Sequence, residues 1–394
     1  MKARMNLSGF RRRASVPALA AVLAAVLAAV LAGGCSRGAP GPAPDGAPDR
    51  AASPCPGVTD TAVRAVARAE AVTTPWDGPT TGPRAVPGKS VVFVASTMTN
   101  PGVAGTANGV REAARTIGWR VRVIDGQGTP SGVRSAMGQA IALRPSGIVI
   151  GGFDPDSVAQ QVKNANDAGI PLVGWHATRS PGPSANPRLF TNVTSRVEDV
   201  ARISAYWIIA TSNGRAGAVI FTDSSIPFAE NKSQLIRKTL QTCSGVKLLA
   251  YENIPLPDTG IRMPVVASSL LSRLGERWTH SVAINDVYFA DAAPALRAAG
   301  RKGSGPPYAI GAGDGDPSAF QRIRNRQFQQ ATVPEPLNAQ GSQIIDELNR
   351  AFAGRPPSGY VTPVHLTTTG NVGNTTSWEP SGYREAYRRI WLGQ

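Results

Sequence analysis

The chain has 394 residues, 42% of them apolar, and a formal charge of +15. That is ample for a sizeable core and long enough for two domains. Five cations, Lys2, Arg4, Arg11, Arg12 and Arg13, lie in residues 1–34 with no acid among them, so the charge falls by five to +10 beyond that segment. The other Lys and Arg residues are scattered, without the clustering and stacking aromatics that nucleic-acid binding requires, so no nucleic-acid partner is expected. Three Cys and three His, with no CxxC or HxxxH spacing, give no expectation of a metal site or a cofactor. No G-x-S-x-G elbow, Walker loop or H-E-x-x-H occurs, and the G-x-G-x-G at 311–315 lacks the spacing and long helix of a dinucleotide loop. An enzyme is therefore not expected.

Arg11-Arg12-Arg13 precede an Ala/Leu/Val run at 16–32, which ends in Leu31-Ala32-Gly33-Gly34-Cys35. A charged start, a short apolar run and small residues at the cut describe a signal peptide over 1–34. Small residues directly before Cys35 resemble the bacterial lipoprotein box, although Leu31 sits one place early. That resemblance implies a diacylglycerol on the Cys35 thiol and a membrane partner reached through a lipid anchor. Residues 35–88 then read as a tether, with a disordered Pro/Gly/Ala/Ser stretch at 36–54, a short helix at 59–72 and a Pro/Gly linker running to 89. Cys55 and Cys243 remain; in an oxidising compartment they are either bridged or two unpaired thiols.

From residue 90 the pattern changes. Apolar, β-branched strands at 91–97, 121–125, 147–152 and 171–176 alternate with helices at 109–117, 133–143 and 157–168. Such alternation argues for a parallel sheet with both faces covered, and for ligands beyond the carboxyl ends of its strands. Those ends carry Asn100, Phe153-Asp154 and Trp175-His176. After a stretch at 177–187 dense in Pro, Ser and Gly, a strand at 189–193 leads out of the unit. The alternation then repeats, with strands at 216–223, 246–251, 281–285, 308–311 and 329–333 and helices at 197–210, 228–240, 261–274, 287–298 and 319–324. A helix at 338–353, a strand at 360–367 and a helix at 381–391 close the chain. The expected fold class is α/β: two Rossmann-like lobes with parallel sheets, joined by three hinge crossings near 192, 335 and 360. The first lobe takes 89–192 and 336–359, the second 193–335 and 360–394.

Several short motifs then fall in a particular order. Ser96-Thr97 with Asn100-Pro101, Ile170 to Val173 with Trp175-His176, Asn285-Asp286, Gly311 to Pro317 around Asp314-Gly315, and Thr332 to Gly341 around Glu335 follow one another along 89–370. This order resembles the type I periplasmic (solute) binding proteins of ABC transporters, in their ribose/xylose-type sugar-binding branch. The resemblance implies an exported, lipid-anchored, monomeric substrate-binding protein on the outer face of the cell membrane. It would capture a small polar ligand, a sugar, by hinge closure and deliver it to an ABC permease and its ATPase. A ligand-binding co-receptor for a sensory kinase, or a transporter of an amine or cationic ligand, are the alternatives. The chain departs from that branch where Gly102 and Val103 replace two aromatics, where His176-Ala177 replaces Asp-Arg, and where Lys232 is the nearest match to an Arg.

A sugar offers hydroxyls that donate and accept, and an apolar C–H face, so its site needs paired polar groups and an aromatic plate. Asn100 and Asn285 supply both donor and acceptor, Asp286, Asp314 and Glu335 supply acceptors, and His176 can do either. Trp175, Phe153 and Phe228 are candidate plates, and Lys232 can offset the acids. Each has a plainer alternative: Trp175 and Phe153 as core, Asp314 as a helix cap before Pro317, and one of Asn285 and Asp286 as the cap of the helix that follows.

Overall fold

A computed structural model describes residues 52–71 and 74–394. The expected signal peptide, Cys35 and nearly all of the disordered stretch lie outside the described residues. The described chain opens with helix α1 (Pro56–Ala69), and the Cys55 beside it is disulfide-bonded to Cys243, with Cα atoms 5.3 Å apart.

The first sheet is built from β1 (Ser90–Ala95), β2 (Arg120–Asp125), β3 (Gly147–Gly151), β4 (Leu172–Trp175), β5 (Gly182–Ala185) and β6 (Arg188–Val193), in the order β2-β1-β3-β4-β6-β5. All its pairings are parallel except β5 against β6. The central strands β1 and β3 are continuous apolar runs because helices cover both faces: α2 (Pro101–Thr116) on one, α3 (Pro130–Ala142) and α4 (Ala159–Asp167) on the other.

Helix α5 (Val197–Thr211) leads into the second sheet. Its strands are β7 (Gly217–Thr222), β8 (Lys247–Asn253), β9 (His280–Ala283), β10 (Tyr308–Gly311), β11 (Ala331–Thr332) and β12 (Thr367–Thr368), in the order β12-β11-β10-β9-β7-β8. Only β12 runs antiparallel. Its helices are α6 (Pro227–Leu240), α7 (Thr259–Leu274), α8 (Val287–Ala298) and α9 (Pro317–Arg324), followed by α10 (Leu337–Phe352) and α11 (Tyr383–Leu392). These are two six-stranded, mostly parallel sheets in two α/β lobes.

The structure corrects four local expectations. Helix α2 begins at Pro101, not at 109, because the Asn100 side chain accepts from the Gly102 and Val103 N–H groups and Pro101 fits the first turn. The small residues that follow were opaque as helix, yet they serve packing: a Cβ on Gly109 would strike the Asn338 backbone, and one on Gly341 would strike Gly109 and Val110. Glycine is what lets α2 and α10 touch. In the Pro-rich stretch, β5 forms as an edge strand, where missing N–H groups are tolerated. The strand expected at 360–367 shrinks to Thr367–Thr368, since Pro363 interrupts its ladder and Leu366 N–H bonds instead to Ala69 of α1.

The fourth concerns lobe membership. Helix α11 does not join the second lobe with the rest of 360–394: Tyr383, Tyr387, Ile390 and Trp391 share a core with Phe93, Val110 and Leu348. Conversely, α1 packs its Ala62, Ala65 and Ala69 with Ala201, Ile208 and Ile220 of the second lobe. Thus the passages from β6 to α5, from β11 to α10 and from α10 to β12 are joined by two more, one after α1 and one before α11. Trp76 fastens both of the added passages, with its ring 5.1 Å from that of Tyr387 and its backbone N–H donating to the Ser381 carbonyl at 2.9 Å.

Candidate functional site

The carboxyl ends of the two sheets face each other across a cavity of about 260 Å³. It lies just under the roughly 300–1,000 Å³ of small-molecule sites, room for a single small ring. Of the ten expected ligand residues, eight line it: Asn100, Phe153, Trp175 and His176 from the first lobe, and Phe228, Lys232, Asn285 and Asp314 from the second.

The first-lobe residues stand where strands end. Asn100 has its Oδ1 committed to capping α2, at 2.9 and 3.2 Å from the Gly102 and Val103 nitrogens, so its amide N–H₂ is what faces inward. Trp175 is 2% exposed and donates Nε1–H to Gln340 Oε1 at 2.7 Å, so it is core as well as wall. His176 adopts a left-handed φ of 49°, which lays its ring on Trp175 at 4.1 Å between centroids and 11° between planes. Its other side meets Phe228 at 4.9 Å. The imidazole thus covers the Trp175 face that was expected to serve as a plate, and links the two lobes.

The second-lobe residues form a buried ionic floor. Lys232 Nζ donates to the Ile284 carbonyl at 3.2 Å and to that of Ala312, and lies 5.3 Å from the Phe228 ring centre. Burial pushes its ammonium down; the charges of Asp314, Glu335 and Asp286 oppose that. Asn285 donates to Asp314 Oδ2 and accepts from Val287 N–H at 2.9 Å, the first N–H of α8; Asp286 holds the cap position but makes no capping bond with its side chain. Asp314 does not cap α9; Asp316 does, accepting from Ser318 and Ala319 N–H. Burial raises the Asp314 carboxyl, against the pull of His176 and Lys232. That carboxylate rests on the first turn of α2 in the opposite lobe, where a Cβ on Gly102 would collide with it.

Two expected residues stand behind the wall. Asp286 is fully buried and does not line the cavity; it accepts from Gly315 N–H at 2.8 Å and Gln329 Nε2 at 2.5 Å, and so braces the 313–315 loop. Burial, with Asp316 nearby, pushes it up to about 7. Glu335 sits at the passage into α10. It accepts from Ser195 Oγ at 2.7 Å and Gln340 Nε2 at 2.5 Å, and lies 3.5 Å from His176 Nε2, within ion-pair range but without hydrogen-bond geometry. Burial alone would raise its carboxyl; His176, Ser195 and Lys232 outweigh that and hold it low. Ser195 and Gln340 were not foreseen, since they meet Glu335 and Trp175 only through the fold. Ser96, Thr97, Thr129, Ser157 and Asp223 also line the cavity unforeseen. They sit just past strand ends or in the loops and turns that follow, the one signal that pointed to them.

Among the described residues no group of three His, Cys, Asp or Glu side chains is placed to hold a metal ion. Two mostly parallel sheets with a ring-lined cavity at their junction define a two-lobed ligand binder. The model of the periplasmic binding protein domain matches residues 91–356, more than half of the chain, and the chain belongs to that family of binding proteins. No curated protein matches it. Among solved structures it is similar to GanP, a glucose-galactose binding protein from Geobacillus stearothermophilus, at 15% identity and TM-score 0.64, covering 73% of this chain and 100% of that one. It is similar to an ABC transporter solute binding protein from Agrobacterium vitis bound with α-D-tagatopyranose, at 14% identity and TM-score 0.65, covering 74% and 98%. A protein of Actinobacillus succinogenes 130z with bound D-allose matches at 16% and 0.64, covering 73% and 100%. At these identities the likeness is one of fold.

Proposed function

We propose that this is the extracytoplasmic substrate-binding component of an ABC importer, capturing a neutral, hydroxyl-bearing ligand, a sugar or sugar derivative, by closure of its two lobes. The observation that carries it is the cavity of about 260 Å³ shared by both lobes, with His176 stacked across the junction and Asp314 seated on Gly102. Neither contact survives separation of the lobes, so a ligand bridging them favours the closed form. The sugar-binding proteins of the same fold support the ligand class. An amine ligand fits less well, because the acids of the floor already face a buried ammonium, that of Lys232. Anchoring through Cys35, docking to a permease as a monomer, and ligand contacts from Asn100, Phe153 and Asp314 are parts of the same proposal.

A thermal-shift screen of residues 36–394 against pentoses, hexoses, polyols, glycosides, amino acids and polyamines tests it. A micromolar sugar at millimolar concentration stabilises by about 4 kcal/mol and gives a shift of several degrees. Asp314→Ala is expected to abolish that shift. A shift with polyamines alone, or with amino acids alone, would overturn the ligand class.

A further inference from the structure

Polarity is not spread evenly around the cavity between the lobes. Ser96 Oγ, the Asn100 amide N–H₂, His176 Nε2 and Asp314 Oδ1 line it with no hydrogen bond to any described residue. These groups stand together. A Cβ on Gly152 would meet Ser96 Oγ at 3.2 Å and the Trp175 ring at 3.6 Å, and His176 is stacked on that ring. Asp314 rests on Gly102, in the helix turn that Asn100 caps.

The far end is apolar, for a topological reason. The hinge passages leave from β6 and β11, whereas β2 and β8 are the edge strands on the other side of the two sheets. The segments after β2 and β8 bring Pro130, Val133, Leu256 and Pro257 to the cavity. The lobes meet there, where a Cβ on Gly128 would lie 3.3 Å from Pro257. Polar side chains at this end are spent within their own loops. Thr97 is bonded to Thr99 at 2.9 Å, and Thr129 accepts from Gly132 N–H at 3.0 Å. Asp223 accepts from the Ser225 and Leu256 N–H groups, both at 2.9 Å.

We infer that the captured sugar is a 6-deoxyhexose, with its hydroxyls toward Ser96, Asn100, His176 and Asp314 and its C5 methyl group against Val133 and Leu256. This rests on the sugar-capture reading and names the subclass of sugar. The cavity of about 260 Å³ holds a single ring, so one edge of that ring faces each end. An ordinary hexose in the same pose presses its 6-hydroxyl into the apolar end, and a buried hydroxyl without a partner is penalised. A methyl group there loses nothing and gains apolar burial.

Calorimetry on the native protein tests this with matched pairs: 6-deoxyglucose and glucose, L-fucose and L-galactose, L-rhamnose and L-mannose. At least one 6-deoxyhexose is expected to bind about tenfold or more tighter than its parent hexose. Two variants place a polar group at the apolar end: Leu256→Asn, at a half-buried position, and the nearly isosteric Val133→Thr. Each is expected to bring that ratio toward one. Hexoses that bind as tightly as their 6-deoxy partners would overturn the inference and leave sugar capture standing. A preference that neither variant changes would overturn it as well, since the methyl group would then lie elsewhere. Binding of none of these six, with another sugar bound in the thermal-shift screen, would overturn the 6-deoxyhexose alone; binding of no sugar at all would overturn both readings.

Discussion

The first-lobe wall of the cleft presents Ser96, Thr97, Asn100, Phe153 and Trp175, and among the described residues lining it there no charged side chain is buried. Across from it the second-lobe wall holds Lys232 and Asp314, both buried, with Asp286 and Glu335 directly behind. The first-lobe wall is held by strand ends and by the capping side chains Asn100, Thr129 and Asp154. The charged wall is held by its own ions, which pin the loops at 284–286 and 311–315 to each other. The difference separates two uses of polarity. In the first lobe it faces the cavity and is open to a ligand, whereas in the second it is mostly spent on shape. A buried charge set of this kind is stable only while complete, because each ion is stranded without its partner.

The sharpest way to break the comparison is to remove the cation. Lys232→Met leaves Asp314 facing Glu335 and Asp286 with no ammonium between them, and is expected to cost about 3–5 kcal/mol of folding stability. Denaturant unfolding measures it; a loss under about 1 kcal/mol would mean the floor is solvated and the contrast between the walls is false. Next in size is Gly102→Ala, at the one point where the walls touch through Asp314. The added methyl cannot coexist with that carboxylate, so closure is expected to lose about 1–3 kcal/mol while the helix itself gains from alanine. Small-angle scattering should show an expanded particle with an unchanged melting temperature. A variant as compact as the parent would mean Asp314 moves aside freely.

The two-lobe α/β architecture was legible because alternating Val/Ile strands and ten-residue helices leave few topologies, and because turn residues mark where strands end. Of the eight ligand candidates that line the cavity, six stand at or just beyond strand ends, which is a local property; Phe228 and Lys232 lie in α6, and Lys232 was singled out through the family resemblance. What was illegible is whatever depends on distant partners. Nothing near Trp175 announces that His176 folds back over it, and nothing near Glu335 points to Ser195, 140 positions away. Asn285 and Asp286 are adjacent and chemically alike, yet the side chain of one accepts the first N–H of α8 at the cavity and that of the other braces a loop behind it. The helix start at Pro101 was hidden by its glycines, whose purpose is contact with α10 rather than propensity. The two extra passages at the chain ends were hidden for the same reason, since α1 and α11 are amphipathic helices whose apolar faces do not say which lobe they cover.

The smallest effect concerns pH and tests whether the second wall carries charge at all. Burial raises Asp286 from 3.8 to about 7 and Glu347 of α10 from 4.5 to about 7. As pH rises above the unfolded values, the unfolded chain releases these protons first, so each carboxyl lowers stability until its folded value is passed. Buried His280 and His365, both lowered from 6.5 to about 4, act in the opposite sense, but only up to pH 6.5. Glu379, raised to about 6, is also spent by then. Between pH 6.5 and 7 the two raised carboxyls therefore dominate among these groups, and stability is expected to fall as pH rises. Asp286→Asn should remove about half of that slope, roughly 1 kcal/mol per pH unit, whatever it does to baseline stability through the Gly315 and Gln329 bonds. Urea titrations at closely spaced pH values read the slope directly. An unchanged slope would place an ionised Asp286 in the folded protein, held by Arg322 and the Gly315 amide, and would make the floor more highly charged than its burial permits.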